Sequence, residues 1–301
     1  TVCFNTAGTL TFTGTPNAEV TFNDGGANQT VTLDATGNAS VTTPNLSADT
    51  TYTLVSVMTT GTPSCSQTLT GSTTIAVTPL PTATIATTTA TVCSGTTGTV
   101  TFSGTPNATV TYTVNGGANT DITLDATGAA TLTTAALTAT TTYALVSVAT
   151  SGTPSCSQNQ TGSAVIDVLP LPTATISGTV DVCQNGTQPN ITFTGANGTA
   201  PYTFIYTING GAPQTATTTV GNSVTVAAAT ATVGTFTYDL VSVSSSTTPS
   251  CSQAQTGSAI VTVLDLPTAT IATTTATVCF NTAGTLTFTG TPNAEVTFND
   301  G

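Results

Sequence analysis

Apolar residues alternate with threonine along most of the chain. Leu10-Thr11-Phe12 and Val110-Thr111-Tyr112-Thr113-Val114 show the pattern, with a β-branched or aromatic residue at the apolar positions. A period of two in such residues predicts half-buried strands, and no stretch carries the 3.6-residue spacing of a long helix. In the clearest segment, strands are expected over 82–87, 99–103, 109–114, 121–124, 129–133, 142–148 and 163–168. Turn residues separate them. Asn115-Gly116-Gly117 can supply the positive φ of a tight hairpin, and Asp125-Ala126-Thr127-Gly128 suits a type I turn. Seven short strands punctuated in this way predict an all-β fold of immunoglobulin-like sandwiches.

A longer period organises these strands. Residues 277–301 repeat residues 1–25 letter for letter, an offset of 277 − 1 = 276. Inside that unit a V-C element recurs at Cys3, Cys93, Cys183 and Cys279, and a P-S-C-S-Q element at Cys65, Cys156 and Cys251. Proline-bearing joints follow at Pro79-Leu80-Pro81, Pro170-Leu171-Pro172 and Leu266-Pro267, each leading into T-A-T-I. A period near ninety is too long for a solenoid coil and fits one small sandwich. The expected domains are 1–80, lacking its first strand, then 81–171, 172–266, and 267–301 as the start of a fourth. Short proline joints predict an end-to-end rod of tandem sandwiches. The restart of the sequence reads as a window on a longer polymer, whose neighbouring repeats are the first partners expected.

Charge narrows the function. The 301 residues include no Lys, Arg or His and 12 acidic side chains, for a net charge of −12. Without cations, neither nucleic acid nor anionic lipid is an expected partner. No apolar run reaches the length of a membrane span, so direct membrane insertion is not expected either. Threonine makes up roughly a quarter of the chain, but regular apolar alternation argues against low-complexity disorder.

Catalysis has little to work with. A Ser or Cys nucleophile would lack its usual base, since His and Lys are both missing. The carboxylates are scattered: Asp34 and Asp125 open turns, Glu19 and Asp121 fall on strands, and Asp265 lies in a joint. No D-x-D-x-D-G run suggests calcium, and no lysine is present for isopeptide cross-links. The expectation is a non-enzyme with no cofactor, no metal and no catalytic residue. N-x-[ST] triplets are frequent, as chance allows in so threonine-rich a chain, and Asp49-Thr50-Thr51 resembles a short O-glycosylation signal.

Each complete repeat holds two of the seven cysteines, and Cys279 is left over. Counting repeat by repeat predicts the pairs Cys3–Cys65, Cys93–Cys156 and Cys183–Cys251, with the partner of Cys279 beyond residue 301. Each bridge would tie a repeat's entry segment to its late hairpin at one end of the sandwich. Two thiolates without histidine make a poor zinc site. Disulfides imply an oxidising compartment, hence an extracellular, cell-surface protein.

Two resemblances complete the reading. Leu137-x-Ala139-x-Thr141-x-Tyr143-x-Leu145 resembles the tyrosine-corner segment of fibronectin type III domains. Tyr52 occupies the same place in the first repeat and Tyr238 in the third, where Thr232 replaces the leucine. The run from Pro201 to Gly211, P-Y-T-F-I-Y-T-I-N-G-G, is similar to repeats of the giant cell-surface adhesins of gliding Bacteroidota, the SprB type. The recurring P-S-C-S-Q and L-P-T-A-T-I elements strengthen that similarity. It implies the stalk of an adhesin filament, exported by the type IX system and joined to surface-anchoring and motility machinery. The alternatives are a carbohydrate- or host-binding repeat array, disfavoured by 5% aromatic content without Trp, and an ice-binding or surface-layer protein suggested by the T-A-T-I-A-T-T-T run.

Overall fold

The computed structural model describes residues 1–274 and 277–299, and every regular element among them is a strand. Positions 275–276 and 300–301, within the expected fourth domain, lie outside the described residues. The chain divides into two compact units, Thr1–Val168 and Leu169–Gly301.

In the first unit, the second repeat shows the architecture in full. Ala83–Thr87, Thr99–Gly104 and Ala129–Thr133 form a three-stranded sheet. The other sheet runs Thr91–Cys93, Ser163–Leu169, Thr141–Ala149, Thr109–Val114 and Asn119–Thr123, with Ser157–Asn159 also paired to Thr141–Ala149. Val100 and Phe102 from the first sheet meet Val110, Tyr112, Tyr143 and Ile166 from the second in one buried core. Every second residue of Thr109–Val114 starting at Val110 faces that core, as the threonine alternation requires. All seven expected strands are present. Thr91–Cys93 and Ser157–Asn159 are additional, and at three residues each they are too short to display a period.

Turn chemistry behaves as its residues dictate. Asn115 and Gly116 have φ of 51° and 69°, the left-handed pair of a tight hairpin. The Asp125 carboxylate accepts hydrogen bonds from the Thr127 amide at 2.8 Å, the Thr127 hydroxyl at 2.6 Å and the Ala129 amide at 3.0 Å. Asp34 does the same with Thr36 and Asn38.

The first repeat follows the same plan with one sheet reduced. Gln29–Thr32, Ala18–Asn23 and Thr50–Thr59 form the larger sheet, with Ser66–Thr68 and Ser72–Ile75 both on Thr50–Thr59. Thr6–Thr13 pairs only with Asn38–Leu46, so no described strand corresponds to Ala83–Thr87. Val2–Cys3 runs parallel to Val77–Thr78.

In the second unit, Thr173–Ser177, Asn190–Ala196 and Ser223–Ala227 face a sheet of Gln214–Thr217, Tyr202–Ile208, Gly234–Ser245, Ser258–Leu264 and Val180–Cys183. Phe193 packs on Phe204 at 5.6 Å and on Tyr206 at 4.9 Å between ring centroids. Val180–Cys183 runs parallel to Ser258–Leu264, so an early strand of this repeat and its last strand point the same way. Beyond them, Ala269–Thr273 pairs antiparallel with Leu286–Gly290.

Candidate functional site: a cysteine staple and an open sheet edge

The two cysteines of a repeat sit at opposite ends of its sandwich. Cys3 lies opposite Thr78 at the close of the last strand, near Thr50, which pairs with Ile75. Cys65 stands at the far end of Thr50–Thr59: its carbonyl accepts the Thr59 amide at 2.9 Å, and its amide donates to the Thr59 hydroxyl at 2.9 Å. That ten-residue strand is about 30 Å long, whereas disulfide Cα atoms lie within about 7 Å. The third repeat repeats the separation. Cys183 lies opposite Leu264, and the Cys251 carbonyl accepts the Ser245 amide at the other end of Gly234–Ser245.

The observed bridge instead joins two repeats. Cys3 is bonded to Cys156, with Cα atoms 5.5 Å apart and 153 residues between them in sequence. Cys93 and Cys251 are disulfide-bonded as well, while Cys65, Cys183 and Cys279 are exposed free thiols. This corrects the expected pairs Cys3–Cys65, Cys93–Cys156 and Cys183–Cys251. Counting two cysteines per repeat misled because it ignored which end of the sandwich each loop occupies.

Local structure explains why Cys3 meets Cys156. The hairpin bearing Cys156 lies against the joint through which the chain enters the second repeat, the Gln158 side-chain amide donating to the Pro81 carbonyl at 2.7 Å. The exit end of one repeat, where Cys3 sits, is joined by that short joint to the entry end of the next. Cys156 is almost fully buried there. Its amide donates to the Thr150 hydroxyl at 3.0 Å, and its carbonyl accepts the Thr150 amide at 2.9 Å. On the other side, the Thr6 hydroxyl donates to the Cys3 carbonyl at 2.6 Å. Both sulfurs are thus carried on hydrogen-bonded turns.

The second feature is a cavity of about 430 Å³ in the first repeat, lined by Leu10, Phe12, Leu54, Leu69 and Gly71. It opens where the T-A-T-I strand lies in the other repeats. There, Ile85 is opposite Phe102, and Ile176 opposite Phe193. Thr82 donates to the Thr105 hydroxyl at 3.0 Å and accepts the Thr105 amide at 2.9 Å. The fourth segment supplies the most direct comparison, because Leu286–Gly290 and Thr291 repeat residues 10–15 letter for letter. That copy holds Ala269–Thr273 along its edge, Ile271 opposite Phe288, with Thr268 bonded to Thr291 in the same two ways.

The tyrosines are buried in their strands, but Tyr52 departs from the corner expected of it. Its buried hydroxyl has the Thr43 side chain beside it and makes no bond to the backbone, the bond that defines a tyrosine corner. Tyr143 packs on Tyr112 and Tyr238 on Tyr206, with ring centroids 6.4 and 6.3 Å apart. Burial raises the Tyr52, Tyr143 and Tyr238 hydroxyls above the ordinary phenol range, with smaller contributions from the Asp24 charge, Tyr112 and Tyr206 respectively. Asp49 of the D-T-T triplet has a structural partner, its carboxylate accepting the Val77 amide at 2.7 Å. Among the described residues no three His, Cys, Asp or Glu side chains gather as a metal site, and no helix is long and apolar enough to cross a membrane.

No protein-family model matches the chain, and no curated protein does. Solved structures with related architecture include a Ca2+-stabilised adhesin with which an Antarctic bacterium binds ice. It is 20% identical with a TM-score of 0.48, over 89% of this chain and 72% of that one. The I67–I69 fragment of the titin I-band gives 14% and 0.45, over 88% and 94%. Invasin, a bacterial integrin-binding protein, gives 16% and 0.33, over 88% and 58%. With TM-scores below 0.5, none of these likenesses bears on what the chain binds. Its own strands and bridges show an all-β chain of immunoglobulin-like sandwiches whose disulfides belong to an oxidising, extracytoplasmic environment.

Proposed function

We propose that the chain is a structural stalk segment of an extracellular cell-surface adhesin filament, with 1–80, 81–171 and 172–266 as successive sandwiches and 267–301 opening another. The observation that carries this reading is the Cys3–Cys156 bridge, a covalent bond between one repeat and the next. A binding module gains nothing at its ligand site from such a bond. A tether under tension does, because the bond holds neighbouring repeats together when the joint is pulled. The absence of Trp and of basic side chains fits a stalk better than a sugar-stacking or anion-binding surface.

The finer part of the proposal follows the sequence resemblance: the filament is carried along the surface of a gliding cell by motility machinery. Antibodies against the second repeat, applied to intact cells of the source organism, test both levels. Labelled filaments outside the cell that travel along it, with attachment lost when the repeats are deleted, are the expected result. Intact cells that stay unlabelled while permeabilised ones are labelled would overturn the stalk, and stationary surface label would remove the motility part. Tight binding of isolated sandwiches to a glycan array would favour the carbohydrate-binding alternative.

A further inference from the structure

We propose that the bridge between repeats is one rung of a continuous covalent ladder. In it, every V-C cysteine is bonded to the P-S-C-S-Q cysteine of the following repeat. Cys183 then takes the P-S-C-S-Q cysteine of the repeat after it, and Cys65 is taken by the V-C cysteine of the repeat before it. The inference goes beyond the stalk reading and needs only the repeating polymer, whatever that polymer attaches to.

Three observations carry it. The first is the Cys3–Cys156 bond, which joins the two cysteine types in that order. The second is the division of thiols. Cys93 and Cys251 are bonded, and the exposed free thiols Cys65, Cys183 and Cys279 are the three whose ladder partners belong to flanking repeats. The third is arithmetic. The sequence restarts with an offset of 276, so the next copy of Cys65 stands 65 + 276 − 183 = 158 residues after Cys183. Cys3 and Cys156, which are bonded, are separated by 156 − 3 = 153, nearly the same distance.

The free cysteines also sit in the sockets that the bonded ones use. Cys65 is held by Thr59 through an amide-to-carbonyl bond of 2.9 Å and an amide-to-hydroxyl bond of 2.9 Å. Thr150 holds Cys156 through the same two bonds at 2.9 and 3.0 Å. The Cys183 carbonyl accepts the Gly186 amide, as the Cys93 carbonyl accepts that of Thr96. Closing a rung converts two thiols to a disulfide. The two electrons and two protons pass to the disulfide of an extracytoplasmic oxidoreductase or small-molecule disulfide, which leaves as two thiols.

The ladder has a mechanical consequence, because its loops overlap. From Cys3 the covalent path crosses to Cys156 and runs 183 − 156 = 27 residues to Cys183, where the next rung begins. Fully extended, 27 residues reach about 95 Å, whereas the 180 residues from Cys3 to Cys183 along the backbone reach about 600 Å. Complete unfolding of every sandwich would therefore lengthen an oxidised polymer to only about one sixth of the reduced one. Extension is capped by covalent bonds rather than by the stability of the domains.

Peptide mapping of the purified polymer, alkylated before extraction and digested with pepsin under non-reducing conditions, tests the ladder. Trypsin has no site in a chain without Lys or Arg, and the residues after each cysteine distinguish Cys65, Cys93, Cys156, Cys183 and Cys251 from one another and from the C-F-N-T-A sequence that Cys3 and Cys279 share. The expected product joins the D-V-C-Q-N peptide of Cys183 to the C-S-Q-T-L peptide of the Cys65 type. Alkylated Cys65 and Cys183, or a link from Cys183 to Cys251, overturns the ladder. So does a bond between two Cys65-type peptides. Pulling single polymers gives a second readout, with a contour length about six-fold greater in reductant expected. Equal lengths with and without reductant would refute the cap. Neither result depends on whether the filament mediates attachment.

Discussion

The first and second repeats carry nearly the same strands, yet their cores differ. Phe102, Leu145 and Val148 are 1%, 7% and 0% exposed, while their counterparts Phe12, Leu54 and Val57 are only half-buried. The residues are alike, so composition is not the cause. What differs is the opening strand: Phe102 lies between Ile85 on one side and Ala130 on the other, whereas Phe12 has only Ala39 opposite it. Gly104 records the same fact, since a Cβ there would collide with the Thr82 carbonyl of the opening strand, whereas one at Gly14 would meet only the Leu33 side chain at 3.0 Å. The proline joint is therefore more than a linker. It leads directly into a strand that completes the next sandwich.

Breaking the staple should produce the largest contrast. Its loop of 153 residues is worth about 5 kcal/mol on the chain-entropy model. In Cys156→Ser, calorimetry should show the first repeat losing most of its stability while the second, with its complete core, changes little. Equal losses in both would mean that the missing strand does not weaken the first repeat.

Supplying the strand comes next. Extending the chain ahead of Thr1 with a second copy of residues 267–276 should close the cavity. The gain, mainly from burying one isoleucine, should be about 3 kcal/mol in the first repeat. The same extension with aspartate at the isoleucine position should stabilise it far less. Comparable melting curves for the two extensions would show that the cavity does not receive that side chain.

Glycine substitutions give a smaller and more local test. Gly104→Ala forces a side chain against backbone and should cost about 2 kcal/mol, while Gly14→Ala should cost less than about 1 kcal/mol. In the extended chain Gly14→Ala should become as damaging as Gly104→Ala. Urea denaturation of the three variants and of the two parent chains, with and without the extension, decides the matter, and a Gly14→Ala cost unaffected by the extension would contradict the strand placement.

The turn aspartates should differ least, because both repeats hold them alike. Asp34 and Asp125 are kept below the ordinary carboxylate range, first by the Thr36 and Thr127 hydroxyls and then by backbone amides. A lowered carboxyl contributes stability above its unfolded value of about 3.9 and loses it as pH falls through the folded value. Asp34→Asn and Asp125→Asn should each lower the melting temperature slightly at neutral pH, with the deficit shrinking in acid. A deficit that grows on acidification would reverse the sign of this assignment.

Strands and turns were legible because their causes are local. Alternation at Val110, Tyr112 and Val114 marks a strand, Asn115-Gly116 marks its hairpin, and the Asp125 carboxylate needs only residues two and four positions on. Legibility failed where the signal was short or the cause distant. Thr91–Cys93 and Ser157–Asn159 are too brief for a period. A tyrosine-corner motif specifies a ring in the core, but Tyr52 shows that it does not guarantee a backbone partner for the hydroxyl.

By itself the sequence determined an all-β chain, its turns, its 276-residue restart and its two kinds of cysteine. Tertiary structure alone decided which cysteines meet. A strand of ten residues separates the Cys3 end of a sandwich from the Cys65 end, and a disulfide cannot span it. A short proline joint instead leads from the Cys3 end into the next repeat, whose Cys156 hairpin rests on Pro81. Partner choice depends on distances through space, and no count of residues along a chain contains them.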